Sequence, residues 1–342
     1  MFQRLSRKNL VLKKSHHSGA CCGLLITTAI FVFVSQFVGL SFISNLNEDH
    51  AFWKYLKTPL GAEDPIVLEV LKKHYLLPPQ VSKPYNLTSV DPESKHFNKL
   101  VSWDVVHRYV RQFFDKQRGG FFVEAGALDG QYFSNTLWLE KERGWTGLLV
   151  EPDALNFQHL VWRRRKAWIS NTCITPGQHP REATFESMNR PGDSLMGTIG
   201  WLYRANTREF KTQMSYNDEM SATSFKSYSR AQCFPLASYL AALNVSKVDF
   251  LSLDIQGGEW EVIHSLPLDR ITIRAIAVEH FNSRVAEESA RRYDLAFATY
   301  MKERGYRFLN LDDQANYIFV LESDPLLGAI SDTKLTHENV ET

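Results

Sequence analysis

The chain reads as a doubly wound, mostly parallel α/β sheet of seven strands behind a single membrane-crossing helix. Three observations predict this. From residue 121 onward, short apolar runs alternate with stretches of helical period, the pattern of strands buried on both faces and joined by helices. Glycine-containing turns follow two of those runs directly, in FVEAGALDG and SLDIQGGEW. Residues 19–44 carry no charge and match the roughly 20 apolar residues a helix needs to cross hydrocarbon.

The apolar segment sets the organisation. A cleaved signal peptide has an apolar region of only about 7–15 residues, shorter than this one, so an uncleaved anchor is favoured. Arg4, Arg7, Lys8, Lys13 and Lys14 crowd the residues ahead of it, and Glu48 and Asp49 follow it. The positive-inside rule then leaves the N-terminus in the cytosol and sends the rest across the bilayer. The expected layout is a basic cytosolic tail (1–18), the anchor (19–44), a lumenal stem (45–95), a main domain (96–325) and a C-terminal tail (326–342). This describes a type II membrane protein of the endoplasmic reticulum, Golgi, endosome or plasma membrane.

Within the stem, residues 64–77 have helical spacing until Pro78 and Pro79 stop it. Residues 95–116 place Phe97, Leu100, Val101, Val105, Val106, Tyr109, Val110 and Phe113 at a 3.6-residue period, an amphipathic helix. Strands are expected at 121–124, 147–150, 168–174, 248–253 and 271–278, with helices at 133–143, 154–166, 260–266 and 288–304. An antiparallel pair, 306–311 and 317–321, closes the sheet. The polar insertion at 176–230 reads as irregular, and such long insertions are usually functional loops or partly disordered segments, rarely plain connectors.

Composition excludes several classes. The net charge is +1, so no global field draws nucleic acid to the chain. No Gly-x-x-x-x-Gly-Lys-Ser/Thr loop is present, which disfavours an NTPase. The eleven histidines are scattered, none at metal-ligand spacing with Cys or acid, so no metal is assigned. Cys21 and Cys22 lie at the cytosolic end of the anchor, as palmitoylation sites or as small apolar residues in lipid. Cys173 and Cys233 fall in the translocated part, where an oxidising compartment permits a disulfide tying the two ends of the insertion; two separate buried thiols are the alternative. Asn86 and Asn244 head glycosylation sequons, Asn-Leu-Thr and Asn-Val-Ser. Asn244 abuts the fourth strand and is expected to be partly shielded.

The chemistry-bearing residues cluster at one sheet edge. Glu124, Gly126 and Gly130 lie in the turn after the first strand, where glycine permits a sharp bend and close approach of a nucleotide-like ligand. Alone, such a turn equally suits a structural β–α junction. Glu151 directly follows the second strand, placed for hydrogen bonds to a ribose diol. Asp254 ends the fourth strand, ahead of Gly257 and Gly258.

The blocks FVEAGALDGQYFSNTLWLEKERGWTGLLVEPDALNFQHL and VDFLSLDIQGGEWEVI resemble the FkbM-type S-adenosylmethionine-dependent methyltransferases, over residues 121–321. The resemblance implies a Rossmann-like methyltransferase sheet and S-adenosylmethionine as cofactor. It implies that Glu124, Gly126 and Gly130 surround the methionine part, Glu151 holds the ribose, Asn171 flanks the adenine, and Asp254 faces the methionine or the acceptor. Asp254 or His280 would take the proton from an O-methyl acceptor, a glycan or small molecule; His280 equally suits a structural surface role. Gln256 departs from the family's usual acid in its D-x-E-G block, and Ser252 from a usual Lys. With its anchor, the chain also resembles the arthropod Star proteins, single-pass relatives linked to export of growth-factor precursors. That likeness implies an inactive trafficking factor that binds a membrane or secreted cargo protein between endoplasmic reticulum and Golgi.

The lumenal orientation makes a direct prediction. Peptide N-glycosidase should increase the protein's electrophoretic mobility, with Asn86 the main site. No shift, together with cleavage of the C-terminal domain by protease added outside intact microsomes, would reverse the orientation.

Overall fold

The computed structural model describes residues 59–89, 104–189, 198–202, 225–279, 295–309 and 316–329. The expected anchor, Cys21, Cys22 and His280 lie outside the described residues. Among the described residues no helix is long and apolar enough to cross a membrane.

The stem is part of the fold and not a spacer. Helix α1 (Pro65–Val70) starts at Asp64, whose side chain accepts the Ile66 N–H at 3.0 Å, with Pro65 in the first turn. A wider turn over Leu71–Tyr75 leads to strand β1 (Leu76–Leu77). Leu71 and Leu76 are buried in the main core, so the folded unit begins at Pro59 and not near residue 96. At the other end Leu326 is buried too, inside the expected tail.

The α/β alternation follows. Helix α2 (Asp104–Phe114) precedes β2 (Phe121–Ala125), α3 (Leu137–Arg143), β3 (Thr146–Val150), α4 (Ala154–Arg163) and β4 (Trp168–Ser170). Asp153 caps α4 by accepting from the Leu155 and Asn156 N–H groups. Then come β5 (Cys173–Ile174), β6 (Arg181–Asn189), β7 (Thr198–Leu202), β8 (Phe225–Phe234), α5 (Leu236–Ala242), β9 (Lys247–Leu253) and α6 (Glu259–His264). The chain closes with β10 (Thr272–Glu279), α7 (Leu295–Glu303), β11 (Tyr306–Leu309) and β12 (Asn316–Leu321).

The main sheet has eight strands, ordered β1-β4-β3-β2-β9-β10-β12-β11, one more than expected. β1 pairs antiparallel with β4, and β12 antiparallel with both neighbours; the central pairs are parallel. Consecutive residues such as Phe122 and Val123, Leu148 and Leu149, and Phe250 and Leu251 are all buried. Helices therefore cover both faces, and each such side chain contributes about 1.5–3 kcal/mol by leaving water.

The described residues of the insertion are not irregular. β5, β8, β6 and β7 form a second, four-stranded sheet. Its small apolar cluster comprises Cys173, Phe185, Ala231 and Cys233, while residues 225–230 of β8 are exposed. The run 168–174, read as one strand, divides: β4 joins the main sheet and β5 the second. Asn244 is exposed at φ 56° in the turn between α5 and β9, not shielded, and Asn86 is exposed as well.

Cys173 and Cys233 face each other across the parallel β5–β8 pair and are joined by a disulfide, with Cα atoms 4.3 Å apart and a separation of 60 in sequence. Replacing both with Ala should lower unfolding free energy by about 4 kcal/mol on chain-entropy grounds. Urea denaturation reads this directly; a loss below about 1 kcal/mol would mean that strand pairing alone closes the insertion.

Candidate functional site

The strand order reverses between β2 and β9, and ligands of open α/β sheets bind outside the carboxyl ends at such a switch point. Ala125 and Leu253 are in register as the last residues of the two strands. The Asp254 N–H donates to the Ala125 carbonyl at 3.0 Å. Gly126 then turns with φ 84°, and a Cβ there would overlap the Asp254 carbonyl oxygen. Position 126 thus admits no side chain.

Glu124 points into the turn that follows. Ser134 Oγ donates to it at 2.8 Å, Thr136 Oγ1 at 2.6 Å and the Asn135 N–H at 2.6 Å. Burial pushes its carboxyl above the usual range, against the pull of Arg165 and of these donors. Its oxygens hold residues 126–136 in shape. Arg165, fully buried, pairs with Glu140 at 3.0 Å and donates to Ser134 Oγ, Thr136 Oγ1 and the Gly130 carbonyl. At Gly130, φ is 77° and a Cβ would strike Leu160.

Glu151, 3% exposed, stands across the turn. One carboxylate oxygen accepts the Leu128 N–H at 2.8 Å and the other the Asp153 N–H at 2.8 Å. Burial pushes its carboxyl up to about 8 despite these bonds, and the neighbouring Asp153 charge adds to the rise. Asn171 sits beside it, its amide donating to the Glu151 and Pro152 carbonyls at 2.8 and 3.1 Å. Asn171 therefore braces the main chain behind Glu151.

On the other side of the switch point, Asp254 is half-buried and does not stand alone. Gln256 Nε2 donates to Asp254 Oδ1 at 2.6 Å and reaches Glu279 Oε2 at 3.3 Å. Asp254 and Glu279 are also hydrogen-bonded to each other, and burial raises the Asp254 carboxyl. Glu259 accepts the Ile255 and Gly257 N–H groups at 3.2 and 2.7 Å, and burial lifts it to about 7. Sequence reasoning passed over Glu279, although register would have found it. Val278 pairs with Leu253, so the next residues, Glu279 and Asp254, leave adjacent strands together. His280 follows Glu279, outside the described residues. Among the described residues no group of three or more His, Cys, Asp or Glu is placed to hold a metal.

The stretch carrying these residues has a known counterpart. Residues 124–308, more than half of the chain, match the family model described as the Methyltransferase FkbM domain. The chain belongs to the FkbM methyltransferase family. The FkbM match opens on Glu124 and takes in Gly126, Gly130, Glu151, Asn171, Asp254 and Glu279. One similar solved structure is a methyltransferase FkbM from Methylobacillus flagellatus KT, 13% identical, with a TM-score of 0.33 over 62% of this chain and 47% of that one. The aligned chain thus spans about half the length of that protein, a likeness too loose to place single residues. No curated protein matches the chain.

The raised carboxyls make stability depend on pH with a defined sign. Glu151 and Glu259 bind their protons more tightly when folded than when unfolded, where they titrate near 4.3. Stability from these groups is complete below that value and is lost as pH rises through about 7 to 8. Asp249 and Asp324 oppose this only in acid, because both are held below the usual range and are ionised above about pH 5. The thermal midpoint should fall from pH 5 to pH 8; a flat or rising profile would contradict the burial of Glu151 and Glu259.

Proposed function

We propose that this FkbM domain transfers a methyl group from S-adenosylmethionine to an oxygen acceptor, a glycan or small molecule, on the lumenal side of a secretory-pathway membrane. The observation that carries the reading is the side-chain-free passage of Gly126 against Asp254 at the switch point, with Glu151 at the adjoining strand end. A site of this kind suits an adenosine-bearing cofactor, because ligands of open α/β sheets bind outside the carboxyl ends at a switch point and an acid at the adjoining strand end can meet a ribose. When bound, that cofactor supplies an electrophilic methyl group.

The chain's own groups have the remaining tasks. Glu151 already accepts the Leu128 and Asp153 N–H groups and is bonded to the Asn156 side chain, so its carboxyl offers one further position to a ribose hydroxyl. Asn171 keeps the Glu151 main chain in place behind it. Burial raises the Asp254 carboxyl and Glu279 is bonded to it, so in this proposal the pair takes the proton of a hydroxyl acceptor; His280 is a second acceptor. Holding the acceptor in line and close supplies most of the remaining acceleration.

The lumenal placement rests on residues 19–44 as a signal anchor, on the exposed Asn86 and Asn244, and on a disulfide suited to an oxidising compartment. A specific observation favours a second reading. Gln256, standing where the family usually has an acid, spans both Asp254 and Glu279 with its amide and so engages the proposed proton acceptors. On that reading the domain is an inactive, Star-like factor that binds membrane or secreted cargo during transport from endoplasmic reticulum to Golgi.

Calorimetric titration of the full-length protein with S-adenosylmethionine separates the two. Binding is expected, weakened in Glu151→Ala by about 1–3 kcal/mol, the cost of leaving a buried hydrogen-bonding group unpaired. No heat with the wild type would favour the transport reading; equal affinity in the variant would move the ribose site elsewhere.

A further inference from the structure

The segment between β1 and Ser89 crosses the surface in a way that burial does not explain. Residues 81–84 are exposed, as are Asn86 and Thr88. Val81 is 75% exposed. The segment is held by directed polar bonds. Gln80 Nε2 donates to the Val161 carbonyl at 3.3 Å, and the Asn86 N–H to the Arg163 carbonyl at 3.0 Å. Lys166 Nζ donates to the Gln80 carbonyl at 2.8 Å and lies 4.5 Å from the Tyr85 ring centroid.

Its far end meets the glycine loop. Gln131 is 4% exposed, and its amide is matched to one residue. Nε2 donates to the Thr88 carbonyl at 2.9 Å while Oε1 accepts the Thr88 N–H at 2.8 Å. The Thr88 hydroxyl accepts from Arg163 Nη1 at 2.6 Å. Arg163 in turn donates through Nε to Asp129 Oδ2 at 3.1 Å and forms an ion pair with it through Nη2. Asp129 Oδ1 accepts the Gln131 and Tyr132 N–H groups at 2.9 and 2.7 Å. A closed circuit therefore runs Thr88, Arg163, Asp129, Gln131 and back to Thr88. It encloses the tip of the loop whose Leu128 N–H holds Glu151.

We infer that residues 80–88 form a clasp that sets the shape of the glycine loop, with Thr88 and Gln131 as its positioning residues. The clasp lies ahead of the family match, which begins at residue 124. It joins the stem to the cofactor cradle, so the conformation of the stem bears on the site. The shape claim stands on the circuit alone; its effect on affinity rests on the cofactor reading above.

The sequon supplies an internal control, since Thr88 serves both clasp and glycosylation. Asn86→Gln removes the glycan site alone, Thr88→Val removes it together with the hydroxyl link to Arg163 while leaving the main-chain bonds to Gln131, and Thr88→Ser restores both. Hydrogen exchange on the full-length protein should show the amides of residues 129–132 opening roughly tenfold faster in Gln131→Ala, the scale of one unsatisfied buried polar group, and faster by a smaller factor in Thr88→Val, which loses only the exposed bond to Arg163. Asn86→Gln and Thr88→Ser should match the wild type, and β9 and β10 should be unchanged in all four. S-adenosylmethionine affinity should fall in the same order, by more in Gln131→Ala than in Thr88→Val. Unchanged loop exchange in both variants overturns the clasp, as does acceleration spread evenly over β9 and β10, which marks loss of global stability. Faster loop exchange in a protein that never binds S-adenosylmethionine upholds the clasp and removes the cofactor reading.

Discussion

The near-contact of the Gly126 backbone with the Asp254 carbonyl is the constraint on which the rest of the site depends. β2 and β9 pair to their final residues, so both chains must leave the sheet at one level. Two backbones can pass there only if one lacks a Cβ. Because they do pass, the turn after β2 and the turn after β9 open on the same edge. Glu151 then stands to one side of the crossing, and Asp254 with Glu279 to the other. A side chain at position 126 would part β2 from β9 and separate these groups.

Buried charge gives the loop beyond Gly126 its single conformation. Glu124, Glu140 and Arg165 are all withdrawn from water, at a desolvation cost that ion pairing offsets only when the geometry is complete. Here Ser134, Asn135 and Thr136 complete it. Removal of one partner would strand a charge, the condition under which such networks become strongly destabilising. The two ends of the sheet are electrostatically opposite. At the carboxyl edge burial raises Glu151, Asp254 and Glu259. In the amino-terminal half burial also pushes Asp249 upward, but the Phe121 N–H, Arg274 and Lys247 outweigh it and hold the carboxyl low. Glu151 and Glu259, raised to about 8 and about 7, thus lie at the carboxyl edge.

Much of this was legible because doubly buried strands leave unbroken apolar runs. LLV before Glu151 and VDFLSL before Asp254 announce their strands and place both acids at strand ends. The insertion was not legible for the opposite reason. β8 exposes six successive residues, so neither alternation nor an apolar run marks it, and its pairing with β6 depends on partners more than 35 residues away. The strap from Gln80 to Thr88 hides for a similar cause: its bonds are polar and join residues far apart in sequence. Glu279 was passed over because its meaning comes from register with β9, a relation no single strand displays. Glu124 shows a subtler gap. Its place in the turn was evident, but its engagement by Ser134, Asn135 and Thr136 appears only once the loop has folded back.

The two-residue strand β1 also bears on how copies of this protein meet. Without Leu76 and Leu77, β4 would present an open row of N–H and C=O groups, the template on which strands of separate molecules add to one another. With them, the main sheet ends in two residues on one side and in the four residues of β11 on the other. Edges so short offer little purchase to a foreign strand. Among the described residues, the main sheet therefore gives a neighbouring molecule little backbone on which to extend it.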